Sequence, residues 1–326
     1  MHFLIVGAGA LGSILAAHLV RRGHPVTLVA RGRRAEQVAA DGVTLTGLAG
    51  FTVPVPVARP GEPMGSPDVV INCVKTYDTG PALAGLNLAN RPLALSLQNG
   101  VVKNEALAER FGDDHWLGAT ASVSGELRAD GRVLFTSNDR LPIGEPRGGR
   151  SPRVAAIVEA LRESGIAADE SDDITATEWT KYAMFVAMMS AALLTRQYSW
   201  RPLSDPHGSQ AVARLIREVG LLATARGIRL LDHGGLPIAT IASAAPDEGA
   251  RHVRAFGHTL SERAPEHRVS SLQDLLRGGP LEVEEILGHA VALARRHAVT
   301  VPTIETCYQF CAVLLAAAVA HQGVTR

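Results

Sequence analysis

The sequence predicts an α/β protein: an N-terminal Rossmann-type doubly wound sheet followed by a C-terminal all-helical domain resembling neither its sheet nor its periodicity. Three observations carry this. Phe3-Leu4-Ile5-Val6, short and apolar, runs directly into Gly7-Ala8-Gly9-Ala10-Leu11-Gly12, and an apolar-periodic segment follows from Ile14 to Val20. Further buried-strand runs stand at 25–30, 68–74 and 93–97. From Ala176 onward the pattern changes to long helices with almost no strand signal. A chain of 326 residues is too long for one ordinary core. Two domains are therefore expected, residues 1–170 for the nucleotide and 171–326 for a helical substrate or dimerisation domain.

In the first element the order is strand, tight turn, helix, which is the context a dinucleotide fingerprint requires. Gly7 allows the sharp turn, Gly9 lets the backbone approach a pyrophosphate, and Gly12 lets the helix pack on its strand. The free N–H groups and positive end of the helix, around Ala8, Ala10 and Leu11, would then hold the phosphates. A bare glycine-rich turn is the alternative, and both flanks argue against it.

The second strand, 25–30, should end near an Asp or Glu in an NAD-preferring site. The chain instead gives Arg31, Gly32, Arg33 and Arg34, with no carboxylate until Glu36. A cation there suits a 2′-phosphate, so NADP(H) is the expected cofactor. One charge-assisted hydrogen bond contributes about 1.5–3 kcal/mol, roughly a tenfold to hundredfold preference. A solvated basic helix start is the competing reading. The runs 68–74 and 93–97 deliver Lys75 and then Gln98-Asn99-Gly100 at their C-terminal ends, where open α/β sheets bind ligands. An exposed loop lysine and a common turn dipeptide are the plainer alternatives.

Composition excludes several classes. Lys+Arg and Asp+Glu balance at 32 each, so nothing speaks for nucleic acid or an anionic membrane surface. At 4% aromatic residues, base stacking has little to work with. Cys73, Cys307 and Cys311 give neither a disulfide framework nor a metal spacing. The chain starts on its first strand with no signal peptide, and the apolar run 311–320 is too short for a bilayer, so a cytoplasmic protein is expected. That run reads either as core or as a homodimer surface.

Elsewhere in the first half, 43–57 reads as two short strands forming a sheet-edge excursion. The runs 116–124 and 132–143, joined near Asp130-Gly131, read as a hairpin closing the sheet. A helix over 154–161 and a short strand over 165–168 follow. In the second half, helices are expected at 176–194, 211–225, around 238–256, up to His297, and at 304–320. The first is apolar with a single cation, Lys181, which is costly to bury unless paired or functional.

Seven motifs in order now carry a resemblance. They are the glycine loop, Val74-Lys75-Thr76, Leu97-Gln98-Asn99-Gly100, Trp179-Thr180-Lys181, Ser270-Ser271-Leu272-Gln273-Asp274, Leu281-Glu282-Val283 and Val301-Pro302-Thr303. Together they resemble ketopantoate reductases, the NADPH-dependent 2-dehydropantoate 2-reductases of pantothenate biosynthesis. The resemblance implies a helical domain like that of 6-phosphogluconate dehydrogenases, with a small 2-oxo acid substrate in the cleft between domains. By position, Lys181 matches the catalytic lysine that protonates the developing alkoxide, and Glu282 the acidic residue that holds substrate and helps set the lysine's protonation. Ser270 matches the serine that binds the substrate carboxylate. Lys75 and Asn99 match residues near the nicotinamide and the reacting carbonyl, and Arg31 the 2′-phosphate ligand. A solvated acidic helix start would explain Glu282, and a helix N-cap Ser270, without function.

The pattern breaks at one place. The family presents asparagines four and eight residues after the catalytic lysine, and here those positions are Phe185 and Met189. No asparagine occurs from Ser171 to the C-terminus, and His267 stands where another is common. An apolar wall cannot select a substrate hydroxyl as amides can. A 2-oxo acid with a more apolar tail is therefore expected if these side chains line the pocket; if they are core, the departure carries no message. A non-catalytic NADP(H)-sensing regulator is the reading from another class, and the presence of Lys181, Ser270 and Glu282 argues against it.

Overall fold

The computed structural model describes residues 1–232 and 235–324, with side chains through residue 316 in the last helix. The chain divides into two compact units, one of residues 1–99 and 103–175, the other of residues 100–102 and 176–326.

The strands of the first unit are β1 (Phe3–Val6), β2 (Val26–Val29), β3 (Val43–Gly47), β4 (Phe51–Val53), β5 (Val57–Ala58), β6 (Val69–Asn72), β7 (Leu93–Ser96), β8 (Trp116–Ala119), β9 (Val123–Leu127), β10 (Val133–Asn138), β11 (Leu141–Gly144) and β12 (Ala168–Glu170). Its helices are α1 (Ala10–Arg21), α2 (Gly32–Asp41), α3 (Thr79–Ala84), α4 (Lys103–Phe111) and α5 (Pro152–Glu163). Eight strands form one sheet in the order β12-β11-β8-β7-β6-β1-β2-β5. Pairing is parallel except between β11 and β8. The chain passes from β1 to β2 on one side and to β6 on the other, so β1 is the switch point. Side chains alternate between two cores. Phe3, Ile5, Leu28 and Ile71 face one, and Leu4, Val6, Val29 and Val70 the other.

Two expectations hold only in part. The 43–57 excursion gives two strands, β3 and β4, that leave the main sheet, and only Val57 returns to its edge as the start of β5. The hairpin near Asp130-Gly131 joins the main sheet at its outer ends, where β8 and β11 pair antiparallel, but not at its inner ends. There β9 and β10 join β3 and β4 in a separate four-stranded sheet, ordered β4-β3-β10-β9, in which β10 runs parallel to β3. The antiparallel run is continuous: Thr120 N–H bonds Pro142 O, Ser122 N–H bonds Arg140 O, and β9 then pairs with β10. At 120–122 and 139–140 the run leaves the first sheet for the second, a bend that period-two patterning cannot show. The reason lies in α1, which packs against β1 and β2 on one side and β3, β4, β9 and β10 on the other. Gly12 through Ala17 and Leu19 are all buried, and a helix apolar all round needs covering on both faces.

His18 of α1 sits edge-on to Phe51 and Phe135 and bonds the Ser164 carbonyl through Nδ1 at 2.7 Å. Loss of hydration pushes its pKa below the ordinary 6.5, and His24 and His267 shift the same way for the same reason. As pH falls through 6.5 the unfolded chain takes protons that the folded chain refuses, so stability drops with pH. Thermal unfolding is expected at a lower temperature at pH 5.5 than at pH 7.5. A flat profile over that range would contradict it.

The second unit is helical: α6 (Ile174–Thr195, its first two residues counted with the first unit), α7 (Trp200–Ser204), α8 (Pro206–Ala225), α9 (Ile238–Ser243), α10 (Pro246–Arg263), α11 (Ser270–Leu276), a π turn (Glu284–Gly288), α12 (His289–His297) and α13 (Pro302–Val324). The single helix expected around 238–256 is two, because Pro246 starts α10 and holds Ala245 extended. Tyr182, Val186 and Leu193 of α6 join Leu215, Ile216, Val219 and Leu222 of α8 in one core. The Val301-Pro302-Thr303 motif is structural: the buried Glu218 carboxylate of α8 accepts from Thr303 and Ile304 N–H at 2.9 and 2.8 Å, capping α13.

Of the apolar run from Cys311, Cys311 is buried and Val313 exposed, and side chains from 317 on lie outside the described residues. Burial pushes the Cys73 and Cys311 thiols up to about 12 and also raises Cys307, so the three free cysteines favour the protonated thiol. Among the described residues, no helix is long and apolar enough to cross a membrane.

Candidate active site

The three glycines of the loop are demanded by different things. Gly7 has φ +104°, and a Cβ there would meet Val74 Cγ1 at 2.8 Å. A Cβ on Gly12 would lie 2.0 Å from the Gly7 carbonyl oxygen. Gly9 is another matter. Its φ of −70° suits any residue, and a Cβ would meet nothing within 4 Å. Packing does not explain Gly9; the close approach of a ligand would. Gly9 is also the N-cap of α1, with no side-chain cap and no acidic residue in the first turn, which leaves the helix's positive end, at Ala10 and Leu11, without a protein anion. The residues present thus fit a dinucleotide pyrophosphate.

Strand register gathers the other cofactor candidates. Val29, Val6, Asn72 and Ser96 lie in one row across β2, β1, β6 and β7. Gly7 follows that row by one residue, Arg31 by two, and Lys75 and Asn99 by three each. All emerge at the carboxyl edge. Lys75 N-caps a 3₁₀ turn, Thr76–Asp78. Behind Lys75 and Asn99 runs a buried chain of hydrogen bonds: Ser96 Oγ to Gln98 Oε1 (2.9 Å), Gln98 Nε2 to Thr79 Oγ1 (2.7 Å), and Thr79 Oγ1 to the Thr76 carbonyl (2.7 Å). It ties the two segments that carry the candidates. Lys103, whose position in the sequence carries no functional signal, is buried and donates to the Ser96 and Ala119 carbonyls, holding the ends of β7 and β8 together.

The arginine cluster divides. Arg34 is turned inward, bonding the Ala8 carbonyl (3.0 Å), Ser13 Oγ (3.0 Å) and the Gly131 carbonyl (2.9 Å), so it braces the glycine loop. Arg31 and Arg33 remain exposed. Arg31 donates to Asp78 Oδ2 at 2.7 Å, a partner on a different strand end that local sequence could not show. A groove of about 680 Å³ beside His24, Val26, Asp41 and Pro56 lies at the amino end of β2, the wrong edge for a Rossmann ligand.

In the second unit, Lys181 is half-buried on α6, and Phe185 and Met189 follow at i+4 and i+8. Both belong to the helical core. Met189 is completely enclosed and Phe185 is 8% exposed, so burial favours the core alternative more for Met189 than for Phe185. Glu282 is 3% exposed, which removes the solvated-helix-start alternative. It stands two residues before the π turn, whose N-cap is Val283, a backbone widening frequent at functional sites. Tyr182, fully buried next to Lys181, donates its hydroxyl to the Ile286 carbonyl inside that turn at 2.7 Å. Burial raises the Tyr182 pKa, so the phenol stays protonated and the tie persists. The Lys181 and Glu282 segments are thereby fastened to each other. Ser270 is the exposed first residue of α11, whose N-cap is Val269, so the capping alternative does not describe it. His267 bonds Ser199 Oγ through Nδ1 at 3.0 Å and serves to join loops.

A doubly wound sheet turning through this glycine loop into a buried helix, followed by helices alone, is the architecture of a Rossmann-type dinucleotide-binding protein with a helical second domain. Two family models match in succession, "Ketopantoate reductase PanE/ApbA" over residues 3–148 and its C-terminal counterpart over residues 173–314. The chain belongs to the ketopantoate reductase family, pyridine-nucleotide-dependent oxidoreductases that act on CH–OH groups. A 2-dehydropantoate 2-reductase of Archaeoglobus fulgidus is 30% identical over 287 residues, covering 88% of each chain. The crystal structure of 2-dehydropantoate 2-reductase from Geobacter metallireducens superposes with a TM-score of 0.81 at 26% identity, over 98% of this chain and 100% of that one. D-Mandelate dehydrogenase, in ternary complex with NADH and anilino(oxo)acetate, shares the fold at a TM-score of 0.82 and 18% identity, over 98% of this chain and 99% of that one.

Proposed function

We propose that the protein reduces a 2-oxo acid to the 2-hydroxy acid using NADP(H). The observation that carries this reading is the Tyr182–Ile286 tie, which fastens a half-buried lysine to the segment of an almost fully buried glutamate. When bound, the nicotinamide nucleotide supplies a hydride. The residues that would hold it are the backbone of Gly7-Ala8-Gly9-Ala10-Leu11-Gly12 at the pyrophosphate, Arg31 at the ribose, and Lys75 and Asn99 toward the nicotinamide.

Lys181 Nζ delivers the proton that the ketone oxygen needs and stabilises the oxyanion as charge develops. Glu282 favours the ammonium form and orients it, and a protonated lysine is regenerated from solvent after each turnover. Ser270, exposed on α11, donates its hydroxyl to the substrate carboxylate. Asn99 donates its amide toward the reacting carbonyl. A homodimer belongs to the same proposal, since Phe310 and Val313 of α13 leave apolar surface exposed.

The substrate is the open term within this reading. With Met189 enclosed, the case for an apolar tail rests on Phe185 and on the absence of amides along α6. Steady-state efficiency with NADPH on ketopantoate, 2-oxoisovalerate and benzoylformate decides it. The expected result is higher efficiency on one of the two apolar acids by tenfold or more, about the discrimination a single lost hydrogen-bonding group produces. A clear preference for ketopantoate would return the chain to the family's usual substrate.

A further inference from the structure

NAD-preferring sheets carry a carboxylate at the end of β2, and this chain has arginine there. The structure nevertheless brings a carboxylate to that arginine from elsewhere. β6 and β2 flank β1 on its two sides. Asp78, three residues beyond Lys75 in the turn leaving β6, extends its Oδ2 to within 2.7 Å of Arg31, two residues beyond the end of β2. The Arg31 side chain is 71% exposed and that of Asp78 29%, so the pair stands at the surface of the carboxyl edge rather than inside it.

We propose that Arg31 and Asp78 form a two-way reader of the adenosine ribose, and that Asp78 is the residue holding the preference for NADP(H) down. The proposal rests on the nucleotide reading of the glycine loop. A 2′-phosphate near Arg31 brings about two negative charges beside the Asp78 carboxylate. It must share or displace the bond that Asp78 already accepts, against like-charge repulsion. A 2′-hydroxyl has the opposite requirement, because it is a donor and Asp78, beside Arg31, is an acceptor. The pair therefore favours neither nucleotide strongly. Its exposure limits the size of the effect, since surface ion pairs are weak and salt-screened, so a shift of several-fold is expected rather than thousands.

The test is equilibrium binding, which needs no turnover. Dissociation constants for NADPH and NADH, and for adenosine 2′,5′-bisphosphate and AMP as fragments without nicotinamide, are measured by calorimetry on wild type, Asp78→Asn, Asp78→Ser, Arg31→Gln and the double variant Asp78→Asn/Arg31→Gln. Wild type is expected to bind the two members of each couple within about tenfold of each other. Asp78→Asn and Asp78→Ser should move the ratio about fivefold to tenfold toward the 2′-phosphorylated ligand, chiefly by tightening it. In the Arg31→Gln background the same Asp78 change should shift the ratio less, because the shared cation is gone. An unchanged ratio in both Asp78 variants overturns the proposal and leaves the pair as a brace of the turn. Equal weakening of both ligands overturns it too. Failure of wild type to bind any of the four removes the nucleotide reading itself, a separate and recognisable result.

Discussion

Replacing Lys181 by methionine is expected to lower turnover about 10²- to 10⁴-fold while leaving NADPH binding within a factor of two or three. The first number is the usual contribution of a positioned general acid. The second follows from where the residues stand. Gly7 through Gly12, Arg31, Lys75 and Asn99 all belong to the first unit, and Lys181 to the second. Methionine keeps most of the aliphatic stem, so the half-buried position on α6 stays filled and unfolding temperature should move little. Nucleotide titration by fluorescence and single-turnover NADPH oxidation separate the two effects. Oxidation at the wild-type rate would remove Lys181 from the chemistry. Loss of nucleotide binding in step with activity would make it a structural lysine.

Much of the fold could be read from the chain because its signals are local. The run 3–6, the glycine loop and the 14–20 segment specify strand, turn and helix within twenty residues, and the structure has them there. What escaped depends on partners distant in sequence. The second sheet exists because α1 needs a cover on both faces, and that cover comes from 43–53 and 123–138. Nothing in either stretch says which sheet it joins. The site shows the same division. Arg31, Lys75 and Asn99 follow strand ends and could be placed by register. Asp78 could not be matched to Arg31, 47 residues away, although it stands only three after Lys75. Lys103 reads as an ordinary first-turn lysine until the fold surrounds it. Phe185 and Met189 share a face with Lys181, but helical spacing cannot say where along that face the core begins.

Alanine at Gly12 and alanine at Gly9 are expected to fail in opposite ways. At Gly12 the new methyl would stand 2.0 Å from the carbonyl oxygen of Gly7, and that obstacle is backbone, not a side chain that can turn aside. Strand and helix must separate, which costs at least about 3 kcal/mol, and unfolding temperature should fall with or without ligand. At Gly9 the methyl points into open space from a backbone conformation any residue adopts, with a cost at the N-cap of at most about 1 kcal/mol. The unliganded protein should melt near the wild-type temperature. Added NADPH should then raise that temperature much less than in wild type, because affinity falls at least about tenfold and ligand stabilisation falls with it. Two thermal scans per variant, with and without nucleotide, read both results. If Gly9→Ala responds to nucleotide as wild type does, the loop is a packing device and the pyrophosphate lies elsewhere. If it melts as low as Gly12→Ala, the open space is not what it is taken to be.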